Sequence, residues 1–456
     1  MKSLLTIFSL LLASLCGPLS AAEPASRPNV VLIIADDQGY TDYGFMGHAE
    51  IRTPHLDRLA AQSLVFPRGY VPSSLCCPSL ASIITGRYPH QHRITANDPP
   101  AAAGQEKAGR GSSAALVARW NGALDSIATL PRVLGRHGYL SLQTGKWWHG
   151  DFTRGGFTHG MTTGSRHGDA GLAIGREGLQ PIYDFIRDSR QLQKPFLVWY
   201  APMMPHTPHT PPEALFTKYQ ARTDSPHLAR YWAMCEWFDQ TCGELLGHLD
   251  REGLAENTLV LYVADNGWVQ DPARPKFAPK NKTTPYDFGH RTPILVRWPG
   301  KVAPRRSTAL ASSIDLLPTV LAALKLAPEP GLPGVDLLDE QAVAARKQVF
   351  GECFTVRSQT LDDPAANLLW RWSTDGRWRL IVPRTWQAAG ALQTIPADSY
   401  LTPDLRETLV AAQPMLFDVE ADPREEKNLA ATHPEITAAM LRQLDAWWKP
   451  QPKHTP

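Results

Sequence analysis

The sequence predicts an α/β fold in which a large mixed, mostly parallel sheet is sandwiched by helices, with a smaller C-terminal α+β domain. Short apolar runs rich in β-branched residues, typical of buried parallel strands, alternate with helical stretches. Polar clusters follow three of these runs directly. A turn-rich segment at 327–334 then separates this region from a sequence of different character.

The predicted strands are the apolar runs at 30–34, 196–200, 259–263 and 294–296. The predicted helices lie at 53–64, 81–85, 126–137 and 228–249. Beyond the turn-rich segment, strands are predicted at 370–372 and 378–382 and a closing helix at 434–448. We therefore assign the main domain to 23–325 and the smaller α+β domain to 326–456.

The first 22 residues, 1–22, have the pattern of a secretory signal peptide. Lys2 is the basic start, an apolar run covers 4–15, and Ser20, Ala21 and Ala22 offer small residues for cleavage. About a dozen apolar residues cannot cross a hydrocarbon core, which needs about 20. No later stretch of the sequence is apolar enough to span a bilayer. The sequence therefore predicts a secreted or periplasmic protein.

Charge and cysteine content narrow the function classes. The formal net charge of +2 gives no reason to expect nucleic acid or an anionic membrane as a partner. Cys16 lies in the signal peptide, and the other five of the six cysteines form an odd, sparse set that argues against a disulfide scaffold. The sequence contains no CxxC pair, which argues against zinc and iron–sulfur sites.

Acidic side chains follow two of the predicted strands. Asp36 and Asp37 come directly after the first strand, and Asp265 and Asn266 after the third. In open α/β sheets ligands bind beyond the carboxyl ends of the strands, so these side chains are expected to share one site. Carboxylate and amide oxygens suit calcium or magnesium better than zinc. The alternative interpretation is that they are ordinary turn and cap residues.

Cys76 lies at the mouth of a predicted helix. Backbone N–H groups and the helix dipole favour an anion at this position. The alternative is that Cys76 and Cys77 form a buried and inert pair of thiols.

Three cationic side chains stand beside glycine-rich, aromatic or proline-rich turns: Lys146, His206 and Lys282. Such groups can clamp a tetrahedral oxyanion. A lone lysine is more often a solvated surface residue, and a lone histidine a packing residue, so spacing alone leaves both interpretations open.

Together these segments resemble the sulfatase family, specifically the formylglycine-dependent type I sulfatases of the alkaline-phosphatase-like superfamily. The resemblance covers most of the chain, with the motifs in the family's order. The motifs are Asp36-Asp37-Gln38-Gly39, Cys76-x-Pro78-Ser79 with Thr85-Gly86-Arg87, Gly145-Lys146-Trp147, Pro205-His206, Asp265-Asn266-Gly267, Arg291-Thr292-Pro293 and Trp298-Pro299-Gly300.

The resemblance implies a sulfuric ester hydrolase whose catalytic domain is 23–325. It implies that a formylglycine-generating or analogous maturation enzyme converts Cys76 to formylglycine, which hydrates to a geminal diol. One calcium ion would be held by Asp36, Asp37, Asp265, Asn266 and the diol oxygen at position 76. The diol would attack sulfur, and His206, helped by Lys282, would protonate the departing alcohol. Lys146 is a further catalytic residue in this interpretation.

Three positions depart from the family's pattern or leave a choice within it. Leu80 stands where the family has arginine, which serves recognition by the cysteine-oxidising enzyme and holds the aldehyde. Lys282 is chosen over Lys280 because it lies five residues before Asp287, as in the family. A second tryptophan interrupts the family's Lys-Trp-His motif, so the histidine role has moved to His149 or been lost.

The predicted reaction is the hydrolysis of a sulfate ester on a small molecule or polysaccharide, with a carbohydrate favoured. A phosphomonoester or phosphonate hydrolase of the same superfamily, with the same metal ligands, is one alternative. A catalytically inactive module that binds sulfated glycans is the other, and Leu80 is its support. No nucleic acid and no membrane is expected as a partner.

Overall fold

The computed structural model describes residues 27–102 and 111–451, so the predicted signal peptide at 1–22 lies outside the described residues. The main sheet has nine strands within them. They are β1 (Asn29–Ala35), β2 (Leu64–Tyr70), β3 (Leu140–Gly145), β4 (His159–Gly160), β5 (Phe196–Ala201), β6 (Thr258–Ala264), β7 (Arg291–Arg297), β8 (Arg305–Arg306) and β9 (Ala311–Ser312). Their order is β4-β3-β5-β1-β6-β7-β2-β8, and β9 pairs with β2.

The main sheet is mixed and mostly parallel, which confirms the predicted fold class. Strand β1 is parallel to both of its neighbours, β5 and β6. Strand β7 is antiparallel to both β6 and β2. The four predicted strands of this sheet are present as β1, β5, β6 and β7.

The helices of the described chain alternate with these strands and continue beyond them. They are α1 (Pro54–Ala61), α2 (Cys76–Thr85), α3 (Pro89–His92), α4 (Ala114–Asn121), α5 (Leu130–Gly135), α6 (Gln180–Gln191), α7 (Glu213–Gln220), α8 (Pro226–Arg251), α9 (Asp287–His290), α10 (Leu316–Ala323), α11 (Glu340–Ala345), α12 (Pro364–Asn367), α13 (Pro403–Ala411) and α14 (Pro434–Trp447). Among the helices that the structure describes, none is both long and apolar enough to cross a membrane.

Helices cover both faces of the main sheet because alternate strand residues point in opposite directions. Val30, Leu32 and Ile34 of β1 belong to one apolar cluster, with residues of α2, α5 and α10. Val31 and Ile33 belong to a second cluster, with residues of α1, α6 and α8. The main sheet is therefore sandwiched, as predicted.

A second, smaller sheet follows. It consists of β10 (Val349–Phe354), β11 (Leu368–Thr374), β12 (Trp378–Pro383) and β13 (Met415–Asp418), all antiparallel and in this order. Helix α14 contributes Met440 and Leu444 to an apolar cluster with Leu380 and Val382 of β12. This arrangement agrees with the predicted α+β character, while the boundary at residue 325 stays a prediction.

Sequence patterns missed β2 and extended the preceding helix too far. The helix predicted at 53–64 ends at Ala61, and Leu64 already belongs to β2. Strand β2 contains Pro67, and its register against β7 shifts between Phe66 and Gly69. Proline and a register shift both weaken the pattern by which a strand is recognised.

The two sheets are joined through Arg379 of β12, which is fully buried. Its guanidinium group lies 3.4 Å from a carboxylate oxygen of Asp287 and 3.5 Å from one of Glu425. It also donates to the carbonyl oxygen of Pro285 over 2.7 Å. Glu425 in turn accepts from the backbone N–H of Asp287 over 2.6 Å. The smaller sheet thereby fastens the segment that follows Lys282.

We expect Arg379→Ala to lower the free energy of unfolding by about 3–5 kcal/mol, because it removes the buried cation that lies between the Asp287 and Glu425 carboxylates. Chemical denaturation followed by tryptophan fluorescence measures the loss. Arg377→Ala is the matched control, since Arg377 pairs with Asp418 but its side chain is 59% exposed. Its effect should be a small fraction of that of Arg379→Ala. Equal losses in the two variants would show that Arg379 does not join the sheets as described.

Candidate active site and metal centre

The acidic residues predicted at the strand ends are brought together because β1 and β6 are neighbouring parallel strands. Their last residues, Ala35 and Ala264, are paired, so the segments that follow leave the sheet side by side. We call the four residues of these segments the acidic group: Asp36, Asp37, Asp265 and Asn266.

Hydrogen bonds hold the acidic group in place. The backbone N–H of Asp37 donates to Oδ1 of Asp265 over 3.1 Å, and Nδ2 of Asn266 donates to Oδ1 of Asp37 over 2.7 Å. All four side chains are buried. Burial raises the pKa of Asp36 well above its usual value; Lys146 opposes the rise, and the neighbouring carboxylates add to it. The group therefore contains a repulsion that a bound cation would relieve.

Each member of the acidic group also keeps one buried oxygen without a hydrogen-bond partner in the part of the chain that the structure describes. These atoms are Oδ2 of Asp36, Oδ2 of Asp37, Oδ2 of Asp265 and Oδ1 of Asn266. Buried polar atoms without partners are rare in folded proteins, and a metal ion is one explanation for them. Four such oxygens are the donor set that a hard divalent cation prefers.

Cys76 opens α2 beside the acidic group. Its Sγ lies 4.0 Å from Oδ1 of Asp36 and 3.2 Å from Nζ of Lys282. One potential ligand atom from each of Asp36, Asp37, Cys76 and His206 lies within 4.8 Å of the others. Burial raises the pKa of the Cys76 thiol to about 12, and the nearby lysines lower it only in part. A thiol with this pKa is protonated at neutral pH and is a poor nucleophile.

Two lysines supply the positive charge of the site. Lys146 Nζ lies 2.6 Å from Oδ1 of Asp36, and Lys282 Nζ contacts Oδ1 of Asp37. Burial lowers the pKa of each lysine, but the adjacent carboxylates outweigh it, so both pKa values are raised and both lysines stay charged. Lys280 instead donates to the backbone carbonyl of Glu425 over 2.6 Å. Lys282, rather than Lys280, therefore reaches Cys76.

His206 lies at the opening of the site, with its side chain 14% exposed. Its Nε2 is 3.4 Å from Oδ2 of Asp37, and its Nδ1 contacts the carbonyl oxygen of Thr207. Burial lowers the pKa of His206 well below its usual value, and the charge of Lys146 lowers it further. The imidazole is therefore neutral in the structure described here.

His149 does not lie with the acidic group. Its Nε2 is 3.5 Å from Sγ of Cys77, and its Nδ1 is 3.1 Å from the carbonyl oxygen of Trp120. Trp148 occupies the position next to Lys146, whose Nζ lies 4.9 Å from the centre of the Trp148 ring. With Trp148 beside Lys146, His149 contacts Cys77 of α2 and not the acidic group. A catalytic role for His149 stays a prediction.

Leu80 packs against the same inserted tryptophan. It is 5% exposed and lines a cavity with only about 10 Å³ of free space, together with Cys77, Ala81, Ile84, Leu124, Trp147, Trp148 and His149. None of these lining residues carries a carboxylate. The two departures from the family's pattern, Leu80 and the second tryptophan, thus meet in one closely packed apolar region.

The sequence did not indicate His167, which the structure places at the opening. Its ring lies 4.8 Å from that of Trp148 and 6.2 Å from that of His206. Burial lowers the pKa of His167 to about 3, and Lys146 lowers it further. The one available signal is Gly168, where a Cβ would lie 2.3 Å from the carbonyl oxygen of Gly145. Only glycine lets this segment pass so close to β3.

Comparisons with known proteins find relatives of this chain. Residues 28–326 match the sequence profile of the family described as Sulfatase. Arylsulfatase A of Homo sapiens is 32% identical over 389 residues, covering 72% of this chain and 70% of that protein. The N-acetylgalactosamine-6-O-sulfatase of Bacteroides thetaiotaomicron is 24% identical over 525 residues, covering 93% of this chain and 94% of that protein.

One solved structure with a similar fold is that of an enzyme named for a different reaction. The phosphonate monoester hydrolase of Agrobacterium radiobacter superposes with a TM-score of 0.65 at 19% identity, over 92% of this chain and 96% of that chain. At this identity the likeness concerns the fold alone, and a fold can carry several chemistries.

We expect Leu80→Arg to lower the melting temperature, because a longer, charged side chain would enter a closely packed apolar region. Overpacking of this kind costs about 1–3 kcal/mol, before the cost of burying the charge is added. Thermal unfolding followed by circular dichroism measures the change. Leu80→Met, a change of similar volume, should cost less than about 1.5 kcal/mol. A Leu80→Arg protein as stable as the wild type would contradict the packing described.

Proposed function

Because the chain belongs to the sulfatase family, we propose that it hydrolyses a sulfate ester on a carbohydrate, using an oxidised form of Cys76 and one calcium ion. The observation that carries the proposal is the position of Cys76. It lies beside a buried lysine ammonium group at 3.2 Å and next to four ligand oxygens that lack partners in the described chain. The proposed nucleophile, the proposed cation site and a lysine that can bind an anion thus lie next to one another.

The calcium ion would be held by the acidic group together with the modified residue 76. Its three carboxylates and one amide oxygen fit a hard cation, and their mutual repulsion favours binding. When bound, calcium supplies positive charge that acidifies a hydroxyl group and stabilises negative charge on sulfate oxygens. We propose calcium rather than zinc because the acidic group offers only oxygen atoms.

Oxidation of Cys76 explains why a buried, protonated thiol stands at the centre of the site. A maturation enzyme, using an external two-electron oxidant such as molecular oxygen, would convert the CH₂–SH group to an aldehyde, with loss of the sulfur and two hydrogens and gain of one oxygen. The hydrated aldehyde supplies one hydroxyl that attacks sulfur and a second whose deprotonation expels sulfate. A serine at this position would lack the second hydroxyl.

The chain's own residues bind the sulfate and move the protons. Lys146 and Lys282, both charged and buried, are placed to bind sulfate oxygens. His206 faces the opening, where the alcohol leaves, and we assign it the proton of the leaving group, with Lys282 beside it. The negative charge of a bound sulfate would raise the depressed pKa of His206 and load it with the proton that it donates.

The alternatives receive less support. A phosphomonoester or phosphonate hydrolase would share the fold, but the relatives that match at 32% and 24% identity are named as sulfatases. An inactive glycan-binding module rests on Leu80, whose place in an apolar region accounts for the missing arginine without loss of the acidic group.

The substrate class and location follow from the same proposal. A relative matched over 93% of this chain is named for a sulfated amino sugar, which favours a sulfated carbohydrate as the substrate. The signal pattern at 1–22 supports export, so we propose that the mature enzyme is secreted or periplasmic. The proposed oxidation of Cys76 makes a maturation enzyme a required partner.

We expect the peptide that contains Cys76, from protein expressed with a formylglycine-generating enzyme, to be about 18 Da lighter than its unmodified form. Fragmentation by mass spectrometry assigns the change to one residue. The neighbouring Cys77 is an internal control and should keep its full mass. Cys76→Ala should abolish sulfate release, whereas protein expressed without the maturation enzyme should show only a trace. An unmodified Cys76 in a fully active protein would exclude this nucleophile.

We expect Asp265→Ala to remove calcium binding but not folding. Without calcium the variant should differ little in stability from the wild type, because the relief of repulsion among three carboxylates offsets the loss of the hydrogen bond from the Asp37 backbone N–H to Asp265. With calcium at about 100 times its dissociation constant, the wild type should gain about 2.7 kcal/mol and the variant almost nothing. Thermal unfolding with and without calcium measures both effects.

The control for this experiment is Asp188→Ala on α6, whose side chain is 59% exposed. It should respond to calcium as the wild type does. If Asp265→Ala and Asp188→Ala gain the same stability from calcium, the acidic group is not the calcium site.

A further inference from the structure

An open pocket of about 440 Å³ lies beside the proposed active site. Three segments meet there: the chain directly after His206, the first turn of α8 and the loop that precedes Lys282. We call it the Arg230 pocket, and its lining residues are Thr207, Pro208, His209, His227, Arg230 and Pro275. None of these six residues is acidic.

One layer of aromatic side chains separates the Arg230 pocket from the active site. The ring of Trp268 lies 5.9 Å from the ring of His209, and its centre lies 5.6 Å from Nζ of Lys282. Tyr231 lies 5.4 Å from His209, ring to ring, and its hydroxyl group donates to the backbone carbonyl of Asp37. The Arg230 pocket therefore lies one aromatic side chain away from Lys282 and from Asp37 of the proposed active site.

The positive charge of the pocket is not neutralised. Arg230 is exposed, its guanidinium carbon lies 4.2 Å from the centre of the Phe216 ring, and no carboxylate pairs with it within the described residues. An arginine that stacks on an aromatic ring is held with its N–H groups free for a ligand. His227 lies three residues earlier on α8, on the same side of the helix.

His209 adds a second sign of a binding site. Its Nε2 is buried and has no hydrogen-bond partner in the described parts of the chain. Burial lowers the pKa of His209 to about 4; the negative charge of Asp37 opposes this, and Arg176, His227 and Arg230 lower it further. The ring is therefore neutral. Buried polar atoms without partners are uncommon, and a ligand can supply the missing partner.

We propose that the Arg230 pocket binds a negatively charged substituent, a carboxylate or a second sulfate, on the sugar next to the one whose sulfate is cleaved. The proposal rests on the proposed function and names a feature of its substrate. Arginine binds carboxylate and sulfate oxygens through paired N–H donors, and an anion here would balance the charge of Arg230. An uncharged neighbouring sugar would leave the charge of Arg230 without a negative partner.

The experiment compares disaccharides that contain N-acetylgalactosamine-6-sulfate, the sugar named in a relative. The neighbouring sugar is glucuronate in one, sulfated galactose in the second and uncharged galactose in the third. We expect the wild type to prefer a charged neighbour by at least about tenfold in kcat/KM. The charged disaccharide that shows the preference identifies the substituent as carboxylate or sulfate.

Arg230→Gln should reduce this preference to less than about twofold, because glutamine is polar but carries no charge and lacks the paired N–H donors of the guanidinium group. Arg251→Gln is the matched control, since Arg251 is an exposed arginine at the other end of the same helix. It should keep the full preference. The proposal is overturned if the wild type shows no preference, or if Arg230→Gln and Arg251→Gln retain it equally.

Binding measured by titration calorimetry separates this proposal from the proposed function. If the wild type releases sulfate from none of the three disaccharides, the assigned reaction fails for this sugar. The pocket is then still supported by tighter binding of a charged disaccharide that depends on Arg230. Equal binding of the three disaccharides, or binding of none, would overturn it.

Discussion

The compensation of three buried carboxylates by two buried lysines is the constraint on which the rest of the site depends. Asp36, Asp37 and Asp265 repel one another, and Lys146 and Lys282 each contact one of them. Removing either partner of such a pair leaves an uncompensated buried charge. The site therefore requires that β1, β3, β6 and the loop before α9 arrive at the same place. The carboxylates and Lys146 directly follow parallel strands of the main sheet, and the loop before α9 carries Lys282.

The smaller sheet takes part in this arrangement. Arg379 of β12 contacts Asp287, which follows Lys282 by five residues. The Glu425 carboxylate accepts a hydrogen bond from the Asp287 backbone N–H, and the Glu425 backbone carbonyl accepts one from Lys280. The loop that carries Lys282 is thus held from the side of the second sheet. A mutation in this sheet can therefore shift the Lys282 ammonium group without touching the acidic group itself.

Part of this site could be predicted from the sequence, because some of its residues follow strands with a uniform apolar pattern. Asp36 and Asp265 belong to that class, and the paired ends of β1 and β6 place them together. Strand β3 was missed because its Ser141 and Gln143 are polar yet buried, and they bond to the chain near Thr158 and Thr162. His167 and the Arg230 pocket depend on such long-range contacts, which no local pattern reports. The place of Cys76 at a helix start left open whether its thiol is inert, and only the resemblance to a known family predicted a role for it.

The burial of Cys76 determines whether the proposed oxidation can come before or after folding. The residue is 1% exposed, at the start of a helix whose ten residues are all buried. An enzyme that must reach the thiol cannot do so after the acidic group and the Lys282 loop have closed around it. The proposed oxidation of Cys76 would therefore have to precede folding. A chain that folded first would keep its thiol, and only unfolding could expose that thiol to the proposed maturation enzyme.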